Sequence, residues 1–199
     1  MRTAMRALGQ LGDGLVLAPQ RYAGDEDDAD ATRIGDVATI GAEPAPVGAV
    51  GYLVDTTDVE AGLVRGEVAV RGPGRAGSVK RVLLPGDVVI SRLRPYLRQI
   101  ALIDDALPSP LLGSSELYVL RPRTPGEDLA FLVPWLLSPR VQRRLAEGVE
   151  GGHHPRFRAE LLLRLPLPPS SRAARARTSA SLREAIALRR ASERLLQGL

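Results

Sequence analysis

Leu84-Pro85-Gly86-Asp87-Val88-Val89-Ile90-Ser91 is the stretch on which the fold turns. Pro85-Gly86-Asp87 is a turn-forming trio: proline fixes φ, glycine admits positive φ, and aspartate bonds nearby backbone. The trio stops the apolar run Val82-Leu83-Leu84 and lets another begin at Val88-Val89-Ile90. Both runs are short, β-branched and punctuated, which favours strands over helix. Moving outward, Gln99-Ile100-Ala101-Leu102-Ile103 is a further strand, and Leu117-Tyr118-Val119-Leu120 is another, ended by Pro122. Upstream, Gly51-Tyr52-Leu53-Val54 and Glu67-Val68-Ala69-Val70 are predicted as short strands on either side of a turn around Glu60-Ala61-Gly62. Ile34, Val37 and Ile40 predict a helical turn running into a strand. Gly41 to Gly51, with Pro44 and Pro46, reads as a loop.

After Asp128 the period changes. Leu129, Leu132, Val133, Leu136 and Leu137 recur at helical spacing, with Pro134 expected to kink the helix from inside. Ser138-Pro139 opens a second helix through Val141 and Leu145. Gly148 to His154 is a Gly-rich loop, Ala159 to Leu163 a short helix, and Leu165-Pro166-Leu167-Pro168-Pro169 an extended exit. Residues 172–197 contain no Pro or Gly and are rich in Ala, Arg, Leu and Glu, which predicts one long helix. Its stripe at 174, 178, 181, 185, 188, 192 and 195 reads Ala, Thr, Ser, Ala, Leu, Ser, Leu, a thin heptad seam; Leu182, Ile186 and Leu196 flank it and widen the apolar face, and such a helix wants a partner. The expected class is α+β. A flexible acidic segment spans 1–32, a β-rich domain with short helices spans 33–169, and a C-terminal helix spans 170–199.

The 199 residues fit one domain plus an appendage, or two small domains at most. There is no Cys, which excludes a disulfide scaffold, a thiolate nucleophile and a Cys-ligated zinc. No apolar run approaches the roughly 18 residues of a membrane-spanning helix. Met1 to Leu17 is broken by Gly9, Gln10, Gly12, Asp13 and Gly14, so it does not read as a signal peptide; a cytoplasmic protein is expected. The net charge of +4 is small, but its distribution is uneven. Residues 61–100 carry +6 and residues 171–199 carry +5, against an acidic cluster at Asp25, Glu26, Asp27, Asp28 and Asp30. Local positive charge is what a phosphate-facing surface needs.

Several catalytic classes lack their residues. Gly72-Pro73-Gly74-Arg75-Ala76-Gly77 spells GxGxxG, but Ser78-Val79-Lys80-Arg81 leads from it into a strand and Asp87 follows too closely for a dinucleotide site. A basic hairpin loop is the reading that fits. His153 and His154 are adjacent, so in an extended chain they point to opposite sides and do not readily share a metal. Lys80 is the sole lysine, without the carboxylate spacing of a metal-dependent nuclease, and the absence of Asn removes the usual amino-methyltransferase motif. No catalytic constellation, metal or cofactor is expected.

Five motifs then line up in order with one family. The chain resembles the specificity subunit of type I restriction–modification systems, in which target-recognition domains alternate with long spacer helices. Arg33 to Gly41 resembles the family's opening turn and first strand, and Leu84 to Ser91 its "pGDvlis" strand. Gly113-Ser114-Ser115-Glu116-Leu117-Tyr118-Val119-Leu120-Arg121-Pro122 is similar to a later strand, and Phe131-Leu132 with Leu136-Leu137-Ser138 to the helix after it. Gly151-Gly152-His153-His154-Pro155-Arg156 through Pro168-Pro169 looks like the Gly-led loop, short helix and Pro-rich exit into a spacer helix. The match covers roughly residues 33–197. The chain departs from the family in carrying one domain and one helix where a full subunit has two of each. Ser170-Ser171-Arg172 also stands where a Glu-Gln pair is frequent.

The resemblance implies a non-catalytic subunit without a cofactor that reads a half-site in double-stranded DNA. Its implied partners are an adenine-specific DNA methyltransferase subunit, a restriction/translocase subunit, and a second chain paired through residues 172–197. Three arginine-bearing segments suit such a surface, since Arg makes bidentate contacts to guanine or phosphate. One carries Arg75, Lys80 and Arg81; a second carries Arg92, Arg94, Tyr96 and Arg98, which share a parity if the run is extended; the third carries His153, His154, Arg156 and Arg158. In this reading His153, His154 and Arg156 sit at a groove while Arg92, Arg94 and Arg98 position the backbone. The open alternative for Arg92 and Arg94 is surface pairing with Asp87, Asp104 or Asp105. For the whole chain the alternatives are an interaction module that docks through its helix without DNA, and an enzyme with an unrecognised site.

Overall fold

The computed structural model describes residues 31–150 and 155–197. In chain order they form α1 (Ile34–Val37), β1 (Ala38–Ile40), β2 (Pro44–Ala45), β3 (Val50–Val54), β4 (Val59–Glu60) and β5 (Gly62–Val64). Then come α2 (Glu67–Arg71), β6 (Gly74–Arg75), β7 (Lys80–Leu83), β8 (Val88–Ser91), β9 (Ile100–Leu102), β10 (Leu111–Gly113) and β11 (Leu117–Pro122). The remainder is α3 (Leu132–Leu136), α4 (Pro139–Glu147), β12 (Val149–Glu150), β13 (Arg156–Phe157), α5 (Ala159–Leu163) and α6 (Arg172–Gln197). This is an α+β architecture with a long C-terminal helix.

Two mixed sheets lie against each other, one six-stranded in the order β1-β11-β8-β9-β5-β4 and one five-stranded in the order β2-β7-β10-β3-β6. Pairing is antiparallel except for β5 with β9 and β10 with β3. The central strands of the larger sheet are buried on both faces, which is why they read as continuous apolar runs. Side chains alternate across a strand. Val88, Ile90, Ile100, Leu102 and Leu120 therefore enter one core, shared with α1, α3, α4, α5 and α6. Val89, Ala101, Ile103, Leu117 and Val119 enter a second core between the sheets, with Val54, Val59, Val64, Leu83 and Leu111. The layers run helices, six-stranded sheet, five-stranded sheet.

The Pro-Gly-Asp turn clamps these layers. Gly86 takes a φ of 89°, and the Asp87 amide donates to Leu84 O at 3.0 Å, the pattern of a type II turn. The Asp87 carboxylate accepts from the Leu84 amide at 2.8 Å and from Arg121 Nε and Nη2 at 2.9 and 3.1 Å. Arg121, on β11, also donates to Val82 O on β7 at 2.7 Å. One guanidinium thus ties both sheets to the turn between β7 and β8.

α6 packs back onto its own domain through a face distinct from the heptad seam. Leu182 and Ile186 join the first core, and the buried Ser179 Oγ accepts from the Phe131 amide at 3.0 Å. Arg175 lies over the Phe131 ring, 5.1 Å from its centroid. Arg183 pairs with Asp128 at 3.0 Å, and Arg190, itself buried, pairs with Asp104 at 2.7 Å. The seam expected from sequence points elsewhere: Thr178, Ser181, Ala185 and Ser192 are exposed, and Leu188 and Leu195 are 66% and 74% exposed. No helix among the described residues is long and apolar enough to cross a membrane.

Three local expectations are corrected, and one strand had no expectation. Glu67 to Val70 is not a strand but part of α2; Val68 is buried while Val70 is exposed, so the alternation did not mark one buried face. Leu111 to Gly113, unassigned from sequence, is a strand paired on both sides. The expected loop at 148–154 begins instead as β12, paired with β13. Pro134 falls in the first turn of the short α3, where its missing N–H has no helical acceptor to lose, so no kink is required.

Candidate nucleic-acid interface

Three segments remote in sequence meet where β8 and β11 pair. The register sets Ser91 opposite Leu117, so Arg92 and Glu116 lie side by side just beyond the paired residues. The Arg92 amide donates to Glu116 O at 3.0 Å. The outgoing arm of the Gly-led loop then docks on the same segment. Leu93 and Arg156 form an antiparallel bridge, the Phe157 amide donates to Arg92 O at 3.2 Å, and the Arg94 amide donates to Pro155 O at 3.4 Å. Phe157 is the anchor: it is buried, its ring meets Tyr118 edge-on at 5.6 Å, and its carbonyl accepts from Tyr118 Oη at 2.9 Å.

Glu116 links the side chains. Its Oε2 accepts from Arg92 Nε at 2.7 Å and Arg156 Nε at 3.0 Å, while Oε1 accepts from Arg156 Nη2 at 2.8 Å. The Arg156 hydrogen bonds, followed by those of Arg92, hold the Glu116 carboxyl at about 2, below its ordinary 4.5, against a partial desolvation that pushes it up. A group more acidic in the folded than in the unfolded chain adds stability that is fully present above about pH 4.5 and is lost as pH falls through about 2. With the cluster partly open to solvent, that contribution is on the order of 1 kcal/mol. Acid denaturation of wild type and Glu116→Gln should therefore converge near pH 2 and separate above pH 4.5. Curves that run parallel throughout would show that the carboxylate gains nothing from its arginines.

The extended run expected at 92–98 is corrected. Pro95 to Leu97 form a 3-10 turn flanked by Arg94 at φ 45° and Arg98 at φ 53°, both left-handed, so the four side chains do not share a parity. Tyr96 is 68% exposed at the tip of this turn, and Arg98 Nη2 donates to Leu137 O at 2.6 Å. The alternative pairing is also corrected for Arg92: its partner is Glu116, while Asp87 holds Arg121 and Asp104 holds Arg190. Arg94 is exposed. Arg158 pairs with Glu150 at 2.9 Å and remains exposed. His153 and His154 lie outside the described residues.

The third segment sits on the other sheet. Arg75 is exposed on β6 opposite Val50, Lys80 lies 3.5 Å from Asp55, and Arg81 on β7 is opposite Gly113. Gly113 is three residues before Glu116, so the linker Ser114-Ser115 joins the Arg81 strand pair to the Arg92–Arg156 cluster. Sequence reasoning missed Glu116 as a member of the site. The available signal was its place one residue before a strand, in a chain whose other arginine-rich turn follows the neighbouring strand. Among the described residues no group of three His, Cys, Asp or Glu side chains is placed to hold a metal.

No protein-family model matches the sequence, and no curated protein does. Solved structures do match in fold. A chain from a structure of complex assembly and conformational transition of the type I R-M system superposes with a TM-score of 0.57 and 23% identity, aligned over 84% of this chain and 44% of its own. The HsdS subunit from Thermoanaerobacter tengcongensis superposes with a TM-score of 0.58 and 21% identity, over 82% of this chain and 43% of its own. This chain thus shares their fold and spans less than half of their length.

Proposed function

We propose that the chain is a non-catalytic DNA-recognition module of a type I restriction–modification system, one target-recognition domain with its spacer helix. The observation that carries this reading is the convergence of Arg92, Arg94 and Arg156 on one edge of a fold shared with such proteins. Arg75, Lys80, Arg81, Tyr96, Arg98 and Arg158, with His153 and His154, complete the surface offered to double-stranded DNA. Phosphate contacts fix register, and side chains at base edges supply the sequence preference. An adenine-specific methyltransferase subunit performs the reaction, a restriction/translocase subunit joins the same assembly, and the chain needs no cofactor of its own. Both operate in the cytoplasm.

The exposed seam of α6 serves assembly in this reading. Leu188 and Leu195 lie on a helix whose opposite side is already held by the domain, so a second helix completes the thin heptad stripe. The chain then pairs through this stripe with itself or with another recognition chain.

Purification with the products of neighbouring genes tests the reading, followed by duplex binding by fluorescence anisotropy. Co-elution with an adenine methyltransferase is expected, together with affinity that falls linearly in log–log form as salt rises. Association through the helix with no salt-dependent duplex binding would instead establish an interaction module. Turnover by the isolated chain would place it among enzymes.

A further inference from the structure

Tyr96 is 68% exposed and its neighbour Leu97 is 48% exposed, at the tip of the turn between Arg94 and Arg98. Every other aromatic side chain among the described residues is at least partly buried. Exposure of a single apolar residue is ordinary. The way this backbone is held is not. The Leu97 amide donates to Arg94 O at 2.9 Å and the Arg98 amide to Pro95 O at 2.8 Å. Pro95 is buried, the Arg94 amide reaches Pro155 O, and Arg98 Nη2 is tied to Leu137 O. These anchors keep two arginines in the left-handed region, where residues with a Cβ are uncommon. Such backbone persists only where its surroundings over-determine it, and it concentrates at binding sites. The tip is therefore presented on a fixed backbone, and a tyrosine has only two side-chain torsions left to fix on contact.

The surroundings of the tip point to its occupant. Arg94 at the base of the turn is exposed, and the Arg92–Glu116 pair lies just before it in the chain. An apolar tip beside cations suits a polyanion with apolar groups inside it. The major groove of duplex DNA offers one such group on its base edges, the 5-methyl of thymine. That groove admits a whole α-helix, so a three-residue turn enters it readily.

We propose that Tyr96, at the tip beside Leu97, is a specificity-determining residue whose ring packs on the 5-methyl group of one thymine. The proposal rests on the DNA reading above and names what this part of the surface reads. A methyl contact carries sequence information without touching phosphate, so its loss changes preference and leaves the salt dependence alone.

The test uses the full chain and begins with selection of bound duplexes from a randomised pool. Each thymine of the preferred duplex is then replaced singly by deoxyuridine, which removes the methyl and keeps the base pair. One replacement should weaken wild type about fourfold, the worth of burying one methyl-sized group. Tyr96→Ala should bind the thymine and deoxyuridine duplexes alike and lose the preference for thymine at that position. Tyr96→Phe should keep both, because the contact needs the ring and not the hydroxyl. Neither variant should change the salt slope. Tyr96 lies outside the hydrophobic cores, so unaltered melting is the control; should Tyr96→Ala fail to fold, Tyr96→Gln takes its place. A selected motif without thymine, a scan in which no replacement matters, or a penalty that persists in Tyr96→Ala overturns the proposal and leaves the DNA reading standing. So does a loss shared equally by random and preferred duplexes, which marks an unspecific wedge between base pairs. Wild type that binds no duplex at any salt removes the DNA reading and this inference together.

Discussion

An Asp87→Ala chain is expected to lose about 3–5 kcal/mol of folding stability, read as a shift of the urea midpoint at unchanged slope. The carboxylate is 3% exposed and sits between two sheets, with Arg121 bonded to both of its oxygens. Burial pushes the Asp87 carboxyl up despite the hydrogen bonds from Arg121 and the Leu84 amide, so the ionised group gains little for its own sake. Its removal is costly for a different reason. Arg121 stays behind, largely buried, and the Leu84 amide loses its side-chain acceptor. The combination Asp87→Leu with Arg121→Met should recover part of the loss, because a buried ion pair exchanged whole for apolar groups is often neutral. A single-variant loss below about 1 kcal/mol would mean that apolar contact alone holds the sheets together, with no clamp at the turn.

That clamp explains why the Pro-Gly-Asp-Val segment was the most legible part of the sequence. Its turn chemistry is local, and β8 is buried on both faces, so strand and boundary are both written in consecutive residues. The same held for β9 and β11. Legibility failed where a local pattern meant something else in context. Glu-Val-Ala-Val alternates like a strand, yet only Val68 finds a core and Arg71 at the end of α2 reaches back to Asp58 at 2.7 Å. Arg92, Arg94, Tyr96 and Arg98 alternate too, but two left-handed non-glycine residues break the run, a conformation that composition does not announce. On α6 the stripe of small and leucine side chains stays exposed from Thr178 onward, while the flank at Leu182 and Ile186 meets the core. The face docked on the domain uses Arg175, Ser179 and Arg190, polar residues whose burial depends on partners 44 to 86 positions away.

The candidate site was legible as two separate segments and illegible as a cluster. Nothing at position 116 identifies its partners until β8 and β11 are in register, and nothing at 156 until the Leu93 bridge forms. A charged residue beside a strand is an ordinary surface feature; its meaning here comes from which arginines the pairing delivers to it.

Arg156→Ala is the variant with the largest expected effect on DNA reading: a loss of roughly tenfold to a hundredfold in affinity for the preferred site. The loss should be confined to one position of the sequence preference. At that position every base should then bind about equally, while the preference at every other position stays as in wild type. Glu116 keeps Arg92 as a partner at 2.7 Å in such a variant, so the strand pairing beneath the site has no cause to open, and near-wild-type melting is the control. Selection from a randomised pool separates the outcomes. A preference relaxed at a single position identifies Arg156 as a reader of base edges. A uniform loss across all sequences, with a shallower salt slope, would identify a phosphate contact instead and move the reading of bases to the neighbouring turn at 94–98.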